Sequence, residues 1–466
     1  MENKLFQEFI SHTNLDWKQQ VIKDLKGKNF DENLALRIDE NIIINAYHDG
    51  SEMPKVPINF VQQSQQYRLT RSWNNREIVR CKFEKNLNSL IVNGLRAGVD
   101  SFMVDLSGVF DMEIEIKKLL RNIKISDVPF FFKVENNVLE LVRTLQIIAP
   151  YYWKGGIDVD ILGRYFSTGI YEENRWEMIG NIIGIVQNFN SFKFLTINGN
   201  IFHNAGANVE QELAYTLASA IESLEKTSQQ NINLLVIIQK MEFSISVGTN
   251  YFVEIAKIRA LRFLWRKILV QGYGLNETEI APTSIHCVTS SFYNSTTSPY
   301  TNMLRATTES MAAVIGGCDA LTVRAYDEAY QESGEFSRRI ARNVSIILKE
   351  ESYFDKVVDP SAGSYLIEKL TAEIAENALN QLIKIEGMGG IIEAFKRNFI
   401  QSEIKRNFKT KQDDLINNGK IMVGVNKFKE SNVVDNSNGI NVSPDLIQAE
   451  GFELLKDLRL SSTFEQ

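Results

Sequence analysis

Residues 302–368 read NMLRATTESMAAVIGGCDALTVRAYDEAYQESGEFSRRIARNVSIILKEESYFDKVVDPSAGSYLIE, and their order decides the fold class. A helical run over 304–314 ends at Gly316-Gly317, and a short apolar strand at 320–323 follows. Just past that strand stand Arg324, Tyr326, Asp327 and Glu328. A second amphipathic helix over 336–350 then leads to a turn with Asp359-Pro360 and Gly363. Polar groups gathered at the C-terminal end of a strand, between two helices, are how an α/β barrel displays a site.

The same alternation recurs upstream, from Arg68 onward. Short apolar runs at 101–106, 128–134, 156–162, 192–197, 232–239, 284–289, 320–323 and 356–358 are separated by helical patterns, the first of them at 77–93. Runs such as Leu234-Leu235-Val236-Ile237-Ile238 are continuous rather than alternating, as in strands buried on both faces, so the sheet is expected to be parallel. Eight such units predict an α/β fold, a (β/α)8 TIM barrel over 61–400, with an N-terminal arm (1–60) and a C-terminal extension (401–466). An open doubly wound sheet is the competing architecture, but no G-x-G-x-x-G opens it.

The arm has one amphipathic segment through Phe6, Phe9 and Ile10 and a second through Trp17, Val21, Ile22 and Leu25. A small hairpin is expected from Leu34, Leu36 and Ile38 to Ile42-Ile43-Ile44. Such an arm either packs on its own domain or wraps a partner. In the extension, the Asn/Ser-rich stretch 432–441 reads as a loop with local disorder.

Composition narrows the function classes. With 44% hydrophobic and 23% charged residues, 466 residues suit a soluble globular chain with a large core. A net charge of -7 argues against a nucleic-acid surface. Cys81, Cys287 and Cys318 are odd in number and far apart, so a disulfide framework is not expected and a cytoplasmic setting is. The N-terminus lacks the apolar core of a signal peptide, and no apolar run reaches the roughly 18–20 residues of a membrane span. His12, His48, His203 and His286 show no metal-ligand spacing.

Several side chains carry two readings at this stage. Arg324, Asp327 and Glu328 are either catalytic or an ion-pair ring at a strand end. Arg338, Arg339 and Arg342 read as a solvated face bridged to neighbouring carboxylates, or less readily as a phosphate contact. His203, just past a strand, is a general base or a hydrogen-bonded structural residue; His286 lies within a strand. Residues 251–265, YFVEIAKIRALRFLW, read as an outer-ring helix with Glu254, Lys257 and Arg262 along its polar side.

RATTESMAAVIGG (305–317), AYDEA (325–329), FSRRIARN (336–343), VVDPSAGSYLIE (357–368) and NAGANVEQELAYTLASAIE (204–222), with the 251–265 string, resemble the CoA-binding barrel of the methylmalonyl-CoA mutase family. The resemblance runs from about Trp17 to Phe464. It implies a (β/α)8 barrel. In active members acyl-CoA threads the barrel axis, and a separate domain presents adenosylcobalamin at one end.

The chain departs from the active pattern where the chemistry sits. Where the resemblance places Gly-Tyr-His, Asn200 and Ile201 take the tyrosine and histidine positions; His203 falls two places late. Arg71-Ser72-Trp73 stands for R-Q-Y, so Trp73 replaces a tyrosine and is expected to fill substrate space. Thr322-Val323-Arg324 stands for H-T-N, while Glu328 is kept. His286-Cys287-Val288-Thr289-Ser290 stands for H-x-Q-T-S, and an expected substrate-carboxylate arginine falls near Thr168. Ile201 can neither donate a hydrogen bond to a thioester carbonyl nor carry charge. Arg324 brings a cation that is costly unless paired, with Glu328 as the candidate.

The resemblance thus implies degenerate catalytic positions at Trp73, Ile201, Thr322 and Arg324, vestigial cofactor contacts at Glu328 and His286, and no metal. The cobalamin signature D-x-H-x-x-G occurs nowhere in the sequence, and RLSSTFEQ at the end resembles the start of a linker to that domain. The pattern resembles the non-catalytic small (beta) subunit of a heterodimeric mutase. Adenosylcobalamin is then expected in a large (alpha) partner subunit, with CoA esters bound weakly if at all and with no nucleic-acid or membrane partner. The alternative is a catalytic acyl-CoA mutase barrel that uses cobalamin bound on a separate protein.

Overall fold

A computed structural model describes residues 12–52, 58–81, 86–107, 109, 111–134, 137–429, 448–449 and 451–465. The segment through Phe6, Phe9 and Ile10 and the stretch 432–441 lie outside the described residues.

Eight strands form the centre: β1 (Asn74–Arg80), β2 (Ser101–Asp105), β3 (Phe130–Lys133), β4 (Gly155–Asp158), β5 in two pieces (Phe192–Lys193 and Leu195–Asn198), β6 (Met241–Val247), β7 (Ile285–Thr289) and β8 (Ala320–Thr322). Each pairs in parallel with its sequence neighbours, and β8 returns to β1 through Ala320 beside Asn74. The first piece of β5 pairs with β4 and the second with β6, so the sheet comes back on itself. With helices around it, this is a TIM-barrel-like fold.

Two expected strands are not strands. Residues 232–239 hold a helix, Leu234–Lys240, whose Asn233 side chain accepts from the Leu235 amide at 2.8 Å. An apolar run of this length suits either element, and the capping asparagine decides for the helix. Residues 356–358 form no strand; Phe354–Lys356 is a single tight turn. The two strands missing from the expectation are β1, expected as part of a helix, and β6. β6 reads Met-Glu-Phe-Ser-Ile-Ser-Val, with all seven residues buried. Its apolar residues face the helices and its polar residues face the barrel axis, so a search for continuous apolar runs passes over it.

Seven helices carry the argument: α1 (Asn14–Asp24), α2 (Val209–Ser228), α3 (Tyr251–Lys267), α4 (Thr301–Gly316), α5 (Glu335–Glu350), α6 (Tyr365–Gly387) and α7 (Phe399–Ile416). α4 stops at Gly317, whose φ of 94° favours a residue without a Cβ. α3 is the outer-ring helix expected, but α6 packs across it and covers its polar side. Its Glu254, Lys257, Arg259, Arg262 and Arg266 are all buried. Before the barrel, Leu36–Arg37 and Ile43–Ile44 pair as the expected hairpin, while α1 buries none of its residues.

Candidate functional site in the barrel axis

Side chains alternate along a strand, so every second residue of β1 and β6 turns toward the axis. Arg76 from β1 and Glu242 from β6 meet there in a bidentate pair, Nη1–Oε2 at 2.8 Å and Nη2–Oε1 at 3.1 Å. Their side chains are 2% and 4% exposed. β1 and β6 are not sheet neighbours, so this pair spans the axis. Phe131 from β3 covers the guanidinium, its ring centroid 3.5 Å from Cζ. Ser284 Oγ donates to Glu242 Oε1 at 3.2 Å.

Beside this strut runs a chain of neutral hydrogen bonds. Thr322 Oγ1 donates to the Arg76 carbonyl at 2.9 Å and accepts from His286 Nε2 at 2.8 Å. His286 Nδ1 then accepts from Ser244 Oγ at 3.2 Å. Burial pushes the His286 pKa well below the usual imidazole range, and Arg76 and Arg324 add to the effect. Asn200 Nδ2 donates to Asn198 Oδ1 and to Ser244 Oγ, both at 2.8 Å, and Ser246 Oγ donates to Asn200 Oδ1 at 2.9 Å.

At the C-terminal mouth Arg324 donates to the Thr289 carbonyl at 3.1 Å and to Glu328 at 3.0 Å. Arg80 reaches the same carboxylate oxygen at 2.8 Å. Burial alone would raise the Glu328 pKa, but the two guanidiniums outweigh it and hold the carboxyl below its ordinary value. The cavity these residues line measures about 80 Å³, room for a few waters.

The singled-out residues therefore divide. Thr322, Arg324, Glu328 and His286 come together at or within the axis. Ile201 is half-buried in a short helix, Asn200–Asn204, just past β5. Trp73 stands elsewhere: it precedes β1, turns outward and donates Nε1 to Ser345 Oγ of α5 at 2.9 Å. It therefore does not fill the axis as expected. Thr168 ends a helix, exposed, bonded to the Arg164 carbonyl. Arg342 is bridged to carboxylates as expected, Glu77 at 3.2 Å and Glu335 at 2.6 Å, but it is buried rather than solvated.

His203 belongs to a separate buried network, with Nδ1 at 3.2 Å from Glu212 and Nε2 at 2.8 Å from Ser290 Oγ. Lys257 also holds Glu212, at 2.7 Å. Ser290 is 2% exposed and its hydroxyl also accepts from the Phe292 amide at 3.1 Å, so this serine–histidine–glutamate line braces the loops after β5 and β7. The residues that the sequence reading missed are Arg76, Phe131 and Glu242. Charged residues inside strand-length segments, REIV and MEFSIS, were the available signal.

Glu309 of α4 gives a measurable pH effect. Burial raises its pKa to about 8, with only partial relief from the Ser290 amide at 3.0 Å. The folded state therefore holds a proton that the unfolded chain has released above about pH 4.5. Its contribution is unperturbed at lower pH and turns destabilising as pH rises from there to about 8, with a slope of at most roughly 1.4 kcal/mol per pH unit. Denaturant melts of Glu309→Gln should show a flatter pH dependence over this window.

A family model described as methylmalonyl-CoA mutase matches residues 104–464. The chain belongs to the methylmalonyl-CoA mutase family. The methylmalonyl-CoA mutase small subunit of Porphyromonas gingivalis is 31% identical over 443 residues, covering 92% of this chain and 71% of that relative. The large subunit from the same organism is 32% identical over 309 residues, covering 66% of this chain and 43% of its own length. Methylmalonyl-CoA mutase of Escherichia coli is 34% identical over 289 residues, covering 61% and 40%. The chain thus spans less than half of these last two relatives.

In this methylmalonyl-CoA mutase family barrel, the strings that carried the resemblance meet in structural braces. Arg259 of α3 binds Asp359 at 3.0 Å and Glu368 at 3.0 Å, joining the 251–265 and 357–368 strings. Arg76, Glu242 and Phe131 lie across the axis. Neither His203 nor His286 has a ring nitrogen free for a cobalt ion. Among the described residues no group of three or more His, Cys, Asp or Glu could hold a metal, and no helix is long and apolar enough to cross a membrane.

Proposed function

We propose that this chain is a catalytically silent small subunit that supports a methylmalonyl-CoA mutase large subunit. The observation that carries the reading is the Arg76–Glu242 pair capped by Phe131, which occupies the axis that a CoA ester would need. Ile201 adds to it, since no acid or base stands at that position. Support also comes from relatives that are named the small and large subunits of one organism's mutase. On this reading the interconversion of methylmalonyl-CoA and succinyl-CoA, and the adenosylcobalamin it uses, belong to the large subunit.

The arm supplies the contact. α1 leaves Leu15 70% and Ile22 48% exposed, and Phe60 beyond it is 57% exposed. A partner that covers these side chains would recover roughly 1.5–3 kcal/mol for each one fully buried. Mixing the chain with its cognate large subunit should give a heterodimer by light scattering. Leu15→Asp/Ile22→Asp should weaken it about tenfold or more while leaving the melting temperature of the isolated chain nearly unchanged. A chain that stays monomeric beside that partner contradicts the proposal. So does turnover of methylmalonyl-CoA by this chain given adenosylcobalamin and a free cobalamin-domain protein.

A further inference from the structure

A space roomier than the axial cavity lies outside the barrel axis. A cavity of about 640 Å³ opens between the N-terminal hairpin, the loop after β5, α4 and the end of α7. Its size falls within the range of small-molecule sites. Leu36, Leu304, Leu415 and Met422 give it apolar walls, while Tyr293 and Lys411 also line it. Lys420 Nζ donates to the Ile38 carbonyl at 2.5 Å and fastens the hairpin to the extension across one side.

Lys411 and Tyr293 flank Phe292. Phe292 stands 5.2 Å from Lys411 Nζ, and its ring lies 5.0 Å from that of Tyr293. The Lys411 ammonium gives two of its three hydrogens to the carbonyls of Gly206, at 3.2 Å, and Ala207, at 2.8 Å. The Tyr293 side chain is half-buried, and its hydroxyl has no hydrogen-bond partner among the described residues. The hydroxyl and the remaining ammonium hydrogen are both free to meet a group that enters the cavity.

The acids near them are already engaged. Asp39 accepts from the Asn41 and Ile42 amides, both at 2.9 Å, and Glu254 is held by Lys257 at 2.6 Å. Of the other cations that line the cavity, Arg305 is bonded to Thr301, Asn302 and the Val423 carbonyl, Lys420 is bonded to the Ile38 carbonyl, and Arg37 is exposed on the hairpin. Apolar walls with the Lys411 ammonium and the Tyr293 hydroxyl suit a singly charged group on an apolar body.

We propose that this cavity binds a small amphipathic carboxylate, its head held by Lys411 and Tyr293 and its chain lying along Leu36, Leu304 and Met422. The site does not depend on the silent-subunit reading, because it shares no residue with the axis. Burial brings the Lys411 pKa down to about 8, helped by Lys420 and opposed by Asp39, Glu212 and Glu254. Affinity for a carboxylate should therefore fall as pH rises through about 8.

The test is titration calorimetry of the full chain with octanoate, octan-1-ol and acetate. Octanoate should bind roughly tenfold or more tighter than either comparison compound. Tyr293→Phe and Lys411→Met should each weaken it severalfold, and Leu304→Trp should block it. Leu304 is 69% exposed, so that last variant tests the site even where Lys411→Met does not fold. Equal affinity for octanoate and octanol, octanoate binding untouched by Leu304→Trp, or no binding at all would overturn the proposal.

Discussion

Glu242→Ala should cost about 3–5 kcal/mol of folding stability, read as a lower denaturant midpoint at unchanged slope. The substitution strands the Arg76 guanidinium, 2% exposed, between Phe131 and an empty space where its counter-charge stood. Removing both partners is a different experiment. Arg76→Met/Glu242→Leu replaces the pair by apolar groups of similar reach, and most of the loss should return, because the desolvation penalty disappears with the charges. A Glu242→Ala loss below about 1 kcal/mol would mean that the pair is not a strut.

Arg259→Ala should fall in the same range, about 3–5 kcal/mol, for a related reason. Arg259 is fully buried and reaches Glu368 through both terminal nitrogens, at 3.2 and 3.0 Å, as well as Thr371 at 3.1 Å and Asp359 at 3.0 Å. Glu368 also accepts from the Gly363 amide at 2.9 Å, so one guanidinium orders the whole turn before α6. Arg259→Lys should recover only part of the loss, since an ammonium cannot serve these partners as a planar fork does. Limited proteolysis near residues 357–364 should separate the two variants: rapid cleavage for alanine, slower for lysine.

The sequence made the barrel legible through its outer layers. Helices such as α4 and α5 announced themselves by spacing, and α4 by its glycine stop as well. The interior was legible only in part. β1 and β6 carry Arg76, Glu242 and Ser244 toward the axis, and a rule tuned to doubly apolar strands cannot register a polar lumen. The same rule made a strand of Leu234–Lys240, where Asn233 caps a helix. Local alignment placed Trp73 in the axis, but only the strand's start at Asn74 shows which way that side chain turns. Pairing of Arg324 with Glu328 was foreseeable because the two lie one helical turn apart in sequence. The Arg76–Glu242 pair and the cavity beside Lys411 join segments more than 150 residues apart, and neither segment announces the other.

The axial strut also bears on how such a chain can evolve. Starting from this interior, no single substitution leads smoothly to an open channel: losing Arg76 or Glu242 alone abandons a charge in the core, at a cost comparable to a large share of a domain's stability. The intermediate is worse than either end. Once a lineage acquires both residues, drift holds them in place with no selection for the pair itself, and the closed lumen acts as a ratchet against any return to threading a substrate.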